Sequence, residues 1–537
     1  MIACKFFPLS HFLMFLRCFL ISLICLFIIG CQKPKRSAIT KTSLNLSFKY
    51  DPITLDPRKN SDPLSCTLIN MLYEGLVRLE QDGSLSLALV DSIKVSKNKT
   101  RYTLFLKQAY WSDGSLITAE DIVACWKSML SPSFPSVNAY FLYPIKNAKN
   151  AKNGLISVDE LGVFALDSST LVIKLEHPNP SFLKMLAFTT FFPIKTTLDE
   201  PLKVFSGPFC LDEWKHNDYI VLKKNPFFWN KDKVQLEKIT IQIVSDEHTS
   251  LKLHQLQAVD WLGTFFSPIP QDALASLSEH TAMDSKDFAG TSSCFFNIHS
   301  FPFNNLNIRK AFALAINKDA LVEHICHNHP KKAYGLVPPL LKNNKILKLS
   351  QEHSKELAQE YLQQGLKELH LSVNDFPKLI LTIFNSEIEK TLAQALQQQW
   401  KSTLGIPICI EQLDVKVFLD KLYKRNYQFC LMSIIAQYYD AYNFLERFVE
   451  PDHFKNFTSW YHPEFSHLVE SSSTYTNPLE RQSILDKAEK ILIDQAPIVP
   501  LYHARLSFLK DPSIHQVEIS PLGTVDFRYA YFSLNQQ

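Results

Sequence analysis

Residues 101–130 read RYTLFLKQAYWSDGSLITAEDIVACWKSML. RYTLFLK (101–107) alternates in polarity, the period-two pattern of a strand with one face toward a core. Asp113-Gly114 is a turn signal. Thr118-Ala-Glu-Asp121 is a capping box, so the spacing predicts a helix that opens there and runs through Met129. Glu120 and Asp121 then fall in its first turn, where the positive end of the helix dipole favours acids. That role accounts for both without any acid–base chemistry.

Outward from this block, strands and helices alternate. SLNLSFKY (43–50) reads as a strand, and CTLINMLYEGLVRLE (66–80) has helical apolar spacing up to Tyr73, before Gln81-Asp82-Gly83 turns the chain. KNAKNAKNG (146–154) reads as a surface turn, 170–175 as a strand and 206–229 as a hairpin. Helices are expected at 307–326, 353–367, 386–402 and 478–495, and strands near 378–384, 406–413 and 427–435. The alternation argues for α/β units with mixed sheets flanked by helices.

At 537 residues the chain is long enough for two to four domains, and 46% hydrophobic against 20% charged is a globular composition. The net charge is +3; removing Lys5 and Arg17 with the leader leaves +1, which gives no electrostatic footprint for nucleic acid. CFLISLICLFIIG (18–30) is an uncharged run, too short to span a bilayer and suited to the apolar core of a signal peptide. Counted from Leu9, the longer greasy run also reads as an uncleaved anchor. Ile28-Ile29-Gly30-Cys31 resembles a lipobox, which implies acylation of Cys31 after cleavage and a flexible tether over 31–43. Either way the body is expected outside the cytoplasm, tied to a membrane. Seven cysteines remain after Cys31, widely spaced and without a C-x-x-C pair, which is not a disulfide framework.

Only 13 glycines occur, no two closer than eight residues. Dinucleotide-binding, phosphate-loop and nucleophile-elbow motifs all need glycines two to five apart, so all three are excluded. No His precedes a Glu, which removes H-E-x-x-H as well.

Six stretches in order carry a resemblance: YEGLVRLEQDGSL (73–85), YTLFLKQAYWSDGSLITAEDIV (102–123), GPFCLDEW…LKKNPFFWN (207–230), PFNNLNIRKAFALAINKDAL (302–321), AYGLVPP (333–339) and APIVPLYHARL (496–506). The chain resembles the bacterial solute-binding proteins of family 5, the oligopeptide-, dipeptide- and nickel-binding lipoproteins of ABC importers, and among them the oligopeptide-binding branch. The resemblance implies a two-lobed, class II-like clamp with an extra small domain. The first lobe would comprise 44–77, 195–292 and 497–537, the small domain 78–194, and the second lobe 293–496. It implies a monomer without cofactor or enzymatic activity. A small peptide held between the lobes would be delivered to the permease subunits of the importer, from a lipid anchor facing the periplasm.

Carried over residue by residue, the resemblance places the peptide-facing strand end at 431–438. Ser433, Ile434 and Ile435 would offer backbone groups, with Tyr438 beside them. The family's acid for the peptide α-amine falls on Gln437, and its arginine for the carboxylate end falls on Leu431; both are departures. Asp440 either replaces that acid from three residues on or is a cap residue. Tyr140 matches a ligand-facing tyrosine or packs among Phe141 and Tyr143. Asn297, on a crossover strand, is a ligand residue or a structural one. HICHNH sets His324, Cys326, His327 and His329 within six residues, donors that suit nickel, zinc or copper, although histidines at a helix C-terminus also answer to the dipole. The alternative to an oligopeptide is the same clamp around a modified or cell-wall-derived peptide, or a metal or haem complex. A hydrolase with a scattered triad and an adhesive lipoprotein fit the motifs less well.

Overall fold

The computed structural model describes residues 41–60, 62–196, 203–280, 283–325, 330–372, 375–475 and 477–533. The leader, Cys31, Cys326, His327 and His329 lie outside them. Thr42–Tyr531 forms the large compact unit that carries the architecture below. In the small unit, Lys41 Nζ lies 4.4 Å from the centroid of the Phe532 ring. No helix among the described residues is long and apolar enough to cross a membrane.

The 101–130 block folds as its spacing predicts, into a strand Arg101–Leu106 and a helix Ala119–Leu130. Asp121 N donates to Thr118 Oγ1 at 3.3 Å, and Asp121 Oδ2 accepts from Thr118 N at 2.9 Å, closing the capping box. The same Oδ2 accepts from Trp111 Nε1 at 3.3 Å, and Trp111 and Trp126 are fully buried. At the turn, Asp113 accepts from Ser115 N at 2.9 Å and from Lys195 Nζ at 2.8 Å. Partial burial opposes this, but the Lys195 and Ser115 hydrogen bonds hold the Asp113 carboxyl at about 2. The Trp-Ser-Asp-Gly block therefore builds a corner. Its strand joins a four-stranded antiparallel sheet in the order Val90–Val95, Arg101–Leu106, Thr170–Lys174, Val163–Asp167.

A second, eleven-stranded mixed sheet runs through the rest. Its order is Ile408–Leu413, Leu379–Phe384, Phe429–Ile435, Asp284–Phe296, Ile498–Lys510, Trp261–Gly263, Ser43–Phe48, Lys238–Ile243, Tyr219–Lys224 and Phe209–Lys215, with Lys331–Lys332 added beside Ile498–Lys510. Asp284–Phe296 and Ile498–Lys510 are thirteen residues each, long enough to serve both lobes. Their pairing shifts register between Asp287 and Thr291 and again between Ser292 and Ser293, so the ladder is interrupted midway along both strands. These are the two crossovers expected of a hinged clamp, and the two-lobed α/β architecture follows from them.

In the second lobe the strand alternation divides the core. Phe429 and Leu431 face one cluster with Phe296, Phe312 and Trp400; Cys430 and Ile434 face another with Phe295, Phe444 and Leu485. Two expectations need correction. The helix expected over 307–326 is two, Leu306–Leu314 and Lys318–His324. Asn317 breaks it by capping the second through a 3.0 Å hydrogen bond from Ala320 N. The turn expected at 146–154 holds a short helix, Ala148–Lys152, because Ala148 and Ala151 are buried on one face.

Candidate ligand-binding site

Strand Phe429–Ile435 pairs with the hinge strand Asp284–Phe296 along its whole length, from Phe296↔Phe429 to Gly290↔Ile435. On its other edge the ladder to Leu379–Phe384 consists of Leu381↔Phe429 and Thr382↔Cys430. Beyond Cys430 that edge has no strand partner among the described residues. It faces a cavity of about 490 Å³ walled by both lobes, within the usual size of a small-ligand site. Ser433, Ile434, Ile435 and Gln437 line it from the second lobe; Arg78, Glu80 and Arg528 are among the residues opposite.

Gln437 is the centre of a polar cluster. Its backbone N donates to Asn443 Oδ1 at 2.8 Å, and its side-chain Oε1 accepts from Tyr140 Oη at 2.8 Å and from Lys455 Nζ at 2.6 Å. Lys455 Nζ also donates to Tyr140 Oη, and lies 4.5 Å over the Tyr140 ring and 5.5 Å over that of Phe454. Burial, with the Arg447 guanidinium adding to it, pushes the Lys455 ammonium down to about 7, while Glu446 opposes the fall. Burial also raises the Glu446 carboxyl and lowers the Arg447 guanidinium. Burial and the neighbouring Lys455 and Arg447 hold His453 near 4, so it is neutral and adds no charge here.

The remaining candidates fall elsewhere. Tyr140 touches Gln437 and Lys455 but is not part of the cavity lining, and Tyr438 is buried behind it. Asp440 is 4% exposed and turned away from the cavity. It accepts from Arg481 Nη1 at 2.9 Å and from Tyr442 N at 2.9 Å, with Lys184 at 3.8 Å. Burial alone would raise its carboxyl, but Arg481 and Lys184 hold it below the usual range. The hydrogen bond from Tyr442 N is that of the cap reading, and the contacts with Arg481 and Lys184 are additional to both readings. Arg481 also reaches Ser181 at 3.2 Å, and Lys184 comes from the same small-domain side. Asn297 donates to the carbonyls of Arg425 and Tyr427 at 3.0 and 2.9 Å, fixing a turn. Leu431 is fully buried in the core. His324 ends its helix, and its three companions in HICHNH lie outside the described residues.

Residues 84–456 match the family model described as bacterial extracellular solute-binding proteins, family 5. The chain belongs to this family. Among its family 5 relatives, the oligopeptide-binding protein OppA of Bacillus subtilis is 34% identical, over 93% of this chain and 94% of that one. The dipeptide-binding protein DppE of the same organism is 29% identical, over 91% of each. The solved structure of the Escherichia coli murein tripeptide binding protein MppA superposes with a TM-score of 0.80 at 25% identity, covering 92% of this chain and 98% of that one.

Sequence reading missed Lys455, Arg447 and Glu446. They lie nine to eighteen residues beyond Gln437 in a segment with no periodic signal, and only the fold brings them to it.

Proposed function

We propose that this family 5 protein captures oligopeptides between its lobes and delivers them to the permease of an ABC importer. It would act from the extracytoplasmic face, anchored through a lipid on Cys31, as a monomer and without catalysing a reaction. The observation that carries this reading is the unpaired edge of residues 432–435 on the inter-lobe cavity. A peptide laid along it as an added strand gains main-chain hydrogen bonds that do not depend on its sequence. The peptide-binding relatives and the two hinge strands support the same reading. Peptide binding then shifts the lobes toward a shut arrangement around the ligand.

Native mass spectrometry of protein purified without refolding tests it. A ladder of adducts with short-peptide masses is the expected result. A single non-peptide adduct would overturn the peptide reading and favour the alternative ligand classes. Globomycin-sensitive processing to a chain beginning at Cys31 checks the anchor.

A further inference from the structure

Resting on the peptide reading, we infer that Gln437, Lys455 and Arg447 form a carboxylate seat, so that the second-lobe end of the cavity takes an anionic end of the ligand. Three observations converge. Lys455 and Arg447 both line the cavity, whereas the one acid beside them, Glu446, does not; its carboxylate already accepts from Asn443 Nδ2 at 2.7 Å. The acceptors of Lys455 are both neutral, the Gln437 amide and the Tyr140 hydroxyl, so its charge is unbalanced by any hydrogen-bonded partner. Arg447 is 7% exposed, and its Nε has no hydrogen-bond partner among the described residues.

A buried guanidinium donor left unused in a residue that lines a ligand cavity is a group that an acceptor in that cavity satisfies after a turn of the side chain. A carboxylate satisfies it and balances Lys455 in one step, with charge-assisted hydrogen bonds that a neutral amide cannot match. A ligand ammonium at the same place would meet two cations and no free acid. The opposite wall differs: Glu80, Glu518 and Asp526 line it together with Arg78 and Arg528, and the Glu518 carboxyl is raised by burial and then by Asp526 and Glu80, with the two arginines opposing. The cavity is thus basic on its second-lobe wall, whereas on the other acids and arginines are interleaved. This inverts the expectation that position 437 marks the place of a peptide α-amine. The carboxylate is either the C-terminus of the peptide or a side chain near its end.

The test is a cycle between ligand ends and Lys455, read by calorimetry with tetra-alanine on full-length protein released from the membrane. Amidating the C-terminus is expected to weaken binding to the wild type by roughly 30-fold, and to Lys455→Met by under about 3-fold. Acetylating the N-terminus is expected to cost the same factor in both proteins. Gln437→Asp, whose added carboxylate would engage Lys455 itself, guards against misfolding of the first variant and should likewise erase the cost of amidation. A cost of amidation equal in all three proteins, or an acetylation cost that depends on Lys455, overturns the seat. If amidated tetra-alanine regains Lys455-dependent affinity when its N-terminus carries a succinyl group, the seat stands and a non-terminal carboxylate also serves. If no form of tetra-alanine binds the wild type, the peptide reading falls instead. Glutarate then decides the seat: a stabilisation lost in Lys455→Met upholds it, and one indifferent to that change overturns it.

Discussion

Lys455→Met is expected to make the unliganded protein more stable near pH 6 and less fit to bind. The lysine falls from its ordinary 10.5 to about 7 on folding, first through burial and then through Arg447, with Glu446 opposing. At about 1.36 kcal/mol per pH unit this sets a ceiling near ~5 kcal/mol for the cost of keeping the ammonium folded. The hydrogen bonds to Gln437 and Tyr140 and the ring contacts are lost with the charge. At about 1–2 kcal/mol for such contacts, a net gain of about 3 kcal/mol remains. Between about 7 and 10.5 the unfolded chain binds the proton that the folded one has lost. Stability of the wild type therefore rises with pH across that window, and the cost is fully present only below it. The titratable neighbours are Glu446, Arg447, Tyr140 and His453; His453, held near 4, stays neutral throughout the window. Apparent melting temperatures of both proteins from pH 5.5 to 10 supply the assay. The variant should melt on the order of 5 °C higher at pH 6, and the two curves should converge and cross as pH approaches 10. A variant less stable by the same amount at every pH would refute the reasoning, since Lys455 would then be an ordinary structural residue.

Asp440→Asn should cost about 3 kcal/mol, because Arg481 and Lys184 are left facing a neutral group at a site 4% exposed. The folded carboxyl lies below its ordinary 3.8, so the deficit should hold above that pH and fade as acid protonates the wild type. Lys184→Met should leave unliganded melting unchanged and weaken peptide binding by no more than about fivefold in calorimetry, because its pair with Asp440 spans the lobes and is partly exposed. Lys342→Met should cost about 3–5 kcal/mol, since Glu489 is fully buried against Lys342 and accepts from Val337 N at 2.8 Å. Without its cation, Glu489 is driven further above its ordinary value, so the loss in melting temperature should be larger at pH 8 than at pH 5. Thr118→Ala should cost about 1–2 kcal/mol in chemical denaturation, the ordinary loss of a helix cap, with ligand binding retained.

Local chemistry was legible where one segment contains both partners of an interaction. The Thr118–Asp121 box, the Asp113 turn and the alternating strands are all settled within a few residues, so spacing alone announces them. The helix expected from 307 is two because Asn317, a weak signal inside an apolar pattern, caps the second through Ala320 N and is also held by the distant Gln399 Oε1, which accepts from its backbone N at 2.8 Å. The resemblance supplied the clamp and the strand that borders its cavity. What it could not supply is the charge of that cavity, because residues from distant segments set it: Tyr140 reaches Gln437 across 297 residues.

Position 437 shows why a substituted residue is a poor guide when read alone. A glutamine in place of an acid suggests a site that has lost a charge and binds more weakly. On the inferred seat, with Lys455 donating to that glutamine at 2.6 Å and Arg447 lining the same cavity, the site would prefer the opposite charge to the one the resemblance implies. An aspartate at 437 beside this lysine would close an internal ion pair and leave nothing for the ligand; the neutral amide holds Lys455 in position while leaving its charge uncompensated. Gln437 and Lys455 therefore make physical sense only as a pair. Restoring the acid without removing the lysine should produce a worse binder of a free amine than making both changes together, Gln437→Asp with Lys455→Met. An order of affinities in which Gln437→Asp alone binds a C-amidated, free-amine tetra-alanine as well as the double variant would show that the two positions act independently.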